Sequence, residues 1–294
     1  FQKRTLSRAR EVGHGVDWWE GFNEHITDDA PATYIRKFAD AEVGLAKRLL
    51  DAGFGACIGG FSTGVLDDRE IEPFMQALQF CHEQSGRVVW HFHEYSGPYM
   101  QFGVKTPDGK NQQPHGSGFT GATTDPRLLE AAGLRGWLTL RYRDVWDTLQ
   151  RRGLTGVRMI VSESGIDNVT NRPGGQGRGW RDFHNTEWSR LPGIGDFADQ
   201  MAWYARQLSH DHYVIGAVDF GWGAVSRDWH SFDLTRDSAM LERFTALQAT
   251  IGAVPAPPPP APGPEPAPAP PAPGPQPAPM PPAPGGVPGV EPRI

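Results

Sequence analysis

Cysteine is nearly absent from this chain. Cys57 and Cys81 are the only two, too few for a disulfide framework, and both read as buried thiols. Long apolar runs are absent as well: nothing approaches the roughly 20 consecutive apolar residues that a membrane-spanning helix needs. Positive charge does not dominate. The 28 Lys and Arg face 34 Asp and Glu for a net charge of −6, which argues against a nucleic-acid binder with a basic face. The chain opens on Phe1 and shows no secretory signal segment. Proline is scarce in one part and abundant in the other. Twenty of the 28 prolines lie between Pro255 and Pro292, leaving eight for residues 1–254. A globular body of residues 1–254 and a Pro/Ala/Gly-rich tail of residues 255–294 therefore need separate readings.

The body has enough apolar content, 38% over the whole chain, to bury a sizeable core. Short apolar runs at 16–23, 54–61, 88–95, 157–163 and 213–220 alternate with longer stretches of helical spacing at 32–51, 67–84, 134–152, 194–209 and 236–251. Strand alternating with helix predicts an α/β fold with a parallel sheet and helices outside it. Three predicted helices stop at a glycine, Gly53, Gly86 and Gly153, where the chain can take a left-handed turn without a Cβ clash. These helix-to-strand turns are short. Two strand-to-helix connections, 96–133 and 164–193, are long. In a β/α barrel all such connections open on the one face that carries the active site, although a doubly wound open sheet would show the same asymmetry.

The strand ends are thus the places to look for chemistry. One run ends in Gly21-Phe22-Asn23-Glu24 and another in Val161-Ser162-Glu163-Ser164-Gly165. Period-two alternation puts Val157, Met159 and Val161 on one face with Glu163, so three apolar side chains would line the interior and one carboxylate its mouth. Glu24 shares its parity with Trp18, Glu20 and Phe22: either a bulge near Gly21 resets the alternation or Glu20 is buried and paired. The third run places Val89, His91, His93 and Tyr95 on one face and Val88, Trp90, Phe92 and Glu94 on the other. The polar set is expected inward and the apolar set under the helices, with Glu94 a rival carboxylate if the register slips by one. His91 and His93 could form a metal pair with Asp219 on the last run, but no clear third and fourth ligand lies between them. Trp222 follows the last run and offers a flat apolar surface. Trp18, Trp180, Trp188 and Trp229 also fall near predicted loops, a distribution that suits a ring-bearing ligand.

Taken together, Asn23-Glu24 at one strand end, His93-Glu94-Tyr95 two strands later, Glu163 on the next and Trp222 on the one after resemble the clan A glycoside hydrolases. In that clan the fourth barrel strand ends in Asn-Glu, whose Glu is the acid/base. The seventh ends in a Glu nucleophile, and in several families the sixth carries His-x-Tyr. The resemblance spans residues 17–223. It implies a (β/α)8 TIM barrel of which this chain holds strands four to eight, with residues 1–15 ending the third helix and its turn and about three more units expected upstream. It further implies a retaining glycosidase in which Glu163 attacks the anomeric carbon and Glu24 serves as acid and then base. Asn23 would bind the sugar 2-hydroxyl, Tyr95 would donate to Glu163, His93 would support the site and Trp222 would stack on the sugar. Two departures leave the exact family open: His25 stands where Pro commonly follows Asn-Glu, and Ser-Glu-Ser-Gly is a loose version of the nucleophile's usual surroundings.

The resemblance implies no cofactor and no metal, a glycoside, oligosaccharide or polysaccharide as substrate and, together with the Pro-rich tail, a secreted or cell-surface location, while the charge balance implies no nucleic-acid partner. The tail should be an extended, polyproline-like spacer, because proline fixes φ and removes backbone donors. It would be either a linker to a wall-binding or carbohydrate-binding module or a disordered tail. A non-catalytic barrel that binds glycan or cell-wall polymer, tethered by the tail, is the competing reading. Nothing in the loops names a sugar.

Overall fold

The computed structural model describes residues 2–13, 15–67, 70–105, 129–167, 179–186, 189–224 and 226–251. The Pro-rich tail, Trp188 and residues 173–178 of the Gly-rich run before Trp180 lie outside them. Helix α1 (Gln2–Val12) leads into β1 (Trp18–Glu20), α2 (Ala32–Asp51), β2 (Gly55–Phe61), α3 (Met75–Glu83) and β3 (Val88–Ser96). Then come β4 (Val104–Lys105), β5 (Arg135–Gly136), α4 (Tyr142–Arg151), β6 (Met159–Ile166), α5 (Phe197–Ser209), β7 (Val214–Asp219) and α6 (Ser238–Ile251).

Strands β1, β2, β3, β6 and β7 form one parallel sheet in that order, and β4 pairs antiparallel with β5. The order never reverses. Parallel crossovers are right-handed, so a sequential order carries every helix to the same face and leaves the other face free. A doubly wound sheet would reverse at a switch point. The sheet is therefore a parallel half-barrel of five strands with helices on its outer face.

The helices form where the sequence presents an apolar stripe. On α2 the buried positions are Ile35, Phe38, Ala39, Glu42, Leu45, Ala46 and Leu49, one face at helical spacing. Its end is closed by Gly53 at φ +87°, while Phe54 N–H donates back to Leu49 O at 2.9 Å, so orphan carbonyls are satisfied by the left-handed turn. Two helices start eight residues later than their apolar spacing predicts. The stretch 67–84 becomes a 3-10 turn, Glu72–Phe74, running into α3, because Pro73 has no N–H and suits only a first turn. The stretch 134–152 begins as β5. A Cβ at Gly136 would lie 2.0 Å from Thr139 O, so the close turn needs glycine, and the helix starts only at Tyr142.

On β3 the expected division holds. Val88, Trp90 and Phe92 are buried on the helix side, where the rings of Phe92 and Tyr142 pack at 5.8 Å. On β6 the expected phase does not hold. Met159 pairs with Trp90 and Val161 with Phe92, so Met159 and Val161, both fully buried, lie under the helices rather than inside the barrel. Val157 precedes the strand. The register then shifts: Phe92 faces Val161 but His93 faces Glu163. Ser162 is the extra residue of a β-bulge, which resets the alternation. Glu163 consequently faces inward beside His93, by a route that period-two counting misses.

Candidate active site

Four side chains converge at the carboxyl ends of β1, β3 and β6. Glu24 sits just past β1 with φ +46°, a left-handed backbone that costs a non-glycine residue about 1 kcal/mol. Its N–H donates to Gly60 O at 2.8 Å. Gly60 must be glycine for this approach, since a Cβ there would lie 2.3 Å from Phe22 O. Glu163 enters from the β6 bulge. Tyr95 donates its hydroxyl to Glu163 Oε2 at 2.7 Å. His93, 2% exposed, points Nδ1 at Glu24 Oε1, 2.8 Å away, and lies 3.5 Å from Glu163 Oε2. Thr63, beyond β2, accepts from Tyr95 N–H at 2.8 Å and donates to His93 O at 3.2 Å, tying the two β3 residues to the neighbouring strand.

The tautomer of His93 follows from its surroundings. Its Nε2 is buried with no hydrogen-bond partner among the described residues, and Nδ1 faces carboxylate oxygens. We assign the proton to Nδ1, which donates to Glu24. The same nitrogen and one oxygen from each glutamate lie within 4.8 Å of one another, the spacing of a three-ligand metal site. A protonated Nδ1 offers no lone pair, however, and moving the proton to Nε2 would leave it without the acceptor that normally orients a ligating imidazole. The cluster therefore reads as a hydrogen-bonded carboxylate pair. His91 and Asp219 belong to no such cluster among the described residues.

Beneath this layer lies a second one. His91 is fully buried, and its Nδ1 faces Ser162 Oγ at 2.9 Å and Glu20 Oε2 at 3.4 Å. Both partners meet the same ring nitrogen, so no serine-to-carboxylate relay through the ring exists. Burial, then the neighbouring His93, push the His91 pKa down to about 3, so the ring is neutral. Partial desolvation raises the Glu20 carboxyl, with His93 pulling it down and Glu163 pushing it up. Glu20 is paired with the neutral His91 but is not buried, its side chain being 53% exposed.

The remaining expected residues fall at or beyond the rim. Asn23 is exposed next to Glu24 and makes no side-chain hydrogen bond among the described residues. His25 packs its ring between Phe22 at 5.1 Å and Phe38 at 5.6 Å and bonds Tyr34 Oη at 2.8 Å, filling the place of the proline common in the resembled clan. Trp222 is 59% exposed just past β7; Phe220, two residues before it, packs edge-on against Tyr95 at 5.8 Å. Trp229, also exposed, packs on Phe220 at 5.4 Å. Two other tryptophans are corrections. Trp180 is core, stacked on Phe197 at 5.2 Å with Nε1–H donated to Phe232 O. Trp18 lies at the opposite end of the sheet, bonded to Gly86 O at 2.9 Å. Glu94 points outward and accepts from the N–H groups of Leu140, Arg141 and Tyr142 and from Tyr204 Oη. It caps α4 and is no rival at the mouth.

No protein-family model matches the sequence, and no curated protein matches it. Among solved structures the chain is similar to a family 39 glycoside hydrolase from the gut symbiont Bacteroides cellulosilyticus WH2, at 15% identity and a TM-score of 0.39, over 79% of this chain and 40% of that one. It is also similar to a triple-mutant endo-β-1,4-glucanase from Xanthomonas axonopodis pv. citri, at 9% identity and a TM-score of 0.39, over 84% of this chain and 65% of that one. The chain spans less than two thirds of the length of either. Likeness at this level carries no argument about activity, which rests on the side chains.

One acid near the mouth escapes sequence reasoning. Asp167 follows β6, and burial, then the charge of Glu24, push its carboxyl up to about 6. Its signal was weak: it sits one residue beyond a strand whose bulge hides the phase. Thr63 and Ser162 were likewise invisible, because their partners are 30 or more residues away.

Proposed function

We propose that the chain is a glycoside hydrolase that cleaves O-glycosidic bonds with retention, Glu163 acting as nucleophile and Glu24 as acid/base. The observation that carries this reading is the facing pair of carboxylates, with oxygens within 4.8 Å of each other and of His93 Nδ1. A retaining pair stands about 5–5.5 Å apart, whereas an inverting pair needs about 6.5–9.5 Å to admit a water. The Tyr95 hydroxyl donates to Glu163 Oε2 at 2.7 Å and holds that carboxyl in place for attack. Glu24 is the more open of the two, its side chain 43% exposed against 27%, which suits the group that meets first the leaving oxygen and then water.

In the first step a Glu163 oxygen bonds the anomeric carbon as the glycosidic C–O bond breaks, and Glu24 transfers its proton to the leaving oxygen. In the second, Glu24 takes a proton from water, whose oxygen bonds the anomeric carbon as the glycosyl–Glu163 ester bond breaks. Asn23 binds the 2-hydroxyl and Trp222 stacks on the sugar. The substrate is a glycoside, oligosaccharide or polysaccharide, met at the cell surface or outside the cell. Glu24→Ala and Glu163→Ala should each lower kcat on a responsive aryl glycoside by about 10³-fold or more without changing the circular dichroism of the fold. Unchanged turnover in Glu163→Ala contradicts the reading. Binding of a glycan by the native chain without turnover would point to the non-catalytic barrel instead.

A further inference from the structure

Glu42 interrupts the apolar stripe of α2, lying among Phe38, Ala39, Leu45 and Ala46, and is 1% exposed. An apolar side chain would complete that stripe at no desolvation cost, whereas a buried carboxyl must be compensated. Its compensation points at the site. Oε2 accepts the Gly59 N–H at 3.0 Å, and the backbone of Phe22 also hydrogen-bonds the carboxyl. Oε1 is buried with no partner among the described residues and packs against Gly21, where a Cβ would stand 2.8 Å from it. One side chain thus reaches from the helix to two segments: the turn leaving β1 and the bend of β2 at Gly59 (φ +116°) and Gly60 (φ +59°). The same two segments hold Glu24, through Gly60 O and the close approach of Phe22 O to Gly60.

We propose that Glu42 is a positioning residue: its carboxyl clamps the turn after β1 to the Gly59–Gly60 bend and so holds Glu24 in its left-handed backbone, facing His93. The clamp stands on backbone geometry; only its effect on turnover rests on the glycosidase reading. The titratable groups around it are Glu20 on β1, Cys57 on β2 and Cys81 on α3, all of them acids. Burial pushes the Glu42 carboxyl up to about 7, outweighing the two backbone donors, and Glu20 adds to the rise. The clamp is accordingly neutral below about pH 7 and becomes a buried anion facing Glu20 above it.

The test is residue-resolved amide exchange on the full chain, corrected for intrinsic rates, in native protein, Glu42→Gln and Glu42→Leu. In Glu42→Leu the Gly59 and Glu24 amides should lose at least about tenfold protection while the α2 and β3 amides keep theirs; Glu42→Gln, which retains a neutral acceptor, should keep both. A folded Glu42→Leu with native protection at Glu24 overturns the proposal. Should Glu42→Leu not fold, pH decides. Protection at Glu24 should fall as pH rises from the ordinary carboxylate value of 4.5 to about 7 in native protein, levelling off above, and not in Glu42→Gln; the same fall in Glu42→Gln overturns the proposal. Turnover measured on the same variants separates the two ideas. Local loss of protection in a chain that never cleaves glycosides sinks the enzyme reading and leaves the clamp standing. Where cleavage occurs, kcat of Glu42→Leu should drop at least about tenfold with KM nearly unchanged, as displacement of a reacting group predicts.

Discussion

A single nitrogen, Nδ1 of His93, stands between two glutamates at 2.8 and 3.5 Å, and the chemistry of the site turns on what each oxygen receives. Glu163 has the Tyr95 hydroxyl, whose own ionisation is pushed far above its ordinary range by burial and then by Glu163. That hydroxyl is a permanent donor. Removing it in Tyr95→Phe should lower kcat about 10²-fold with a smaller change in KM, and should cost the fold only about 1 kcal/mol, read by steady-state kinetics and urea unfolding. At this scale much was legible in the sequence. Asn23-Glu24, His93-x-Tyr95 and Glu163 stand out because polar groups end otherwise apolar runs. Glu42 was legible in principle, as a carboxylate in an apolar helical stripe, but its partners are backbone groups 17 residues away or more, which no local pattern reveals. Asp167 and Thr63 owe their positions entirely to strand pairing.

At the scale of elements, α2 matches its sequence spacing at both ends because a proline precedes it and a glycine closes it. β6 departs because a bulge at Ser162 carries no glycine or proline to announce it. Its neighbour β3 keeps strict alternation, and its outward carboxylate joins two elements. Glu94 supplies the acceptors for the first turn of α4 and for Tyr204 on α5. Glu94→Ala should therefore destabilise the chain by about 3 kcal/mol, because three backbone donors lose their partner, as measured by urea unfolding. Burial holds the Glu94 carboxyl up at about 7 despite its four donors. A carboxyl that keeps its proton to higher pH when folded than when unfolded binds more protons in the native state between those values. Its contribution is complete below the unfolded value and is lost as pH rises through about 7. Unfolding free energy should thus decline between pH 5 and pH 8, and Glu94→Gln should flatten the decline.

For the whole molecule, the strand order decides between the two architectures that alternation leaves open: a sequential sheet with one free face is a half-barrel, and Glu24, His93, Tyr95 and Glu163 lie on that face or at its rim, whereas Glu94, Trp18 and Trp180 do not. Among the described residues the sheet has two open edges, β1 and β7, and Val218 on β7 is 56% exposed, unusual for parallel strands, which are ordinarily covered on both faces. Exposed edges pair with other chains. The 294-residue chain should associate with rising concentration in sedimentation velocity, and Val218→Lys should reduce that association. Composition does not show such an edge, since β7 reads as apolar as its neighbours, but a chain holding only strands four to eight implies two of them. The central claim is the division of labour between Glu163 and Glu24. It is tested most directly by incubating the chain with a panel of 2-deoxy-2-fluoro glycosides carrying good leaving groups and mapping the labelled peptide by mass spectrometry. The account predicts one fluoroglycosyl ester, on Glu163, absent in Glu163→Gln. An ester on Glu24 or Asp167, or hydrolysis with inversion and no ester at all, would contradict it.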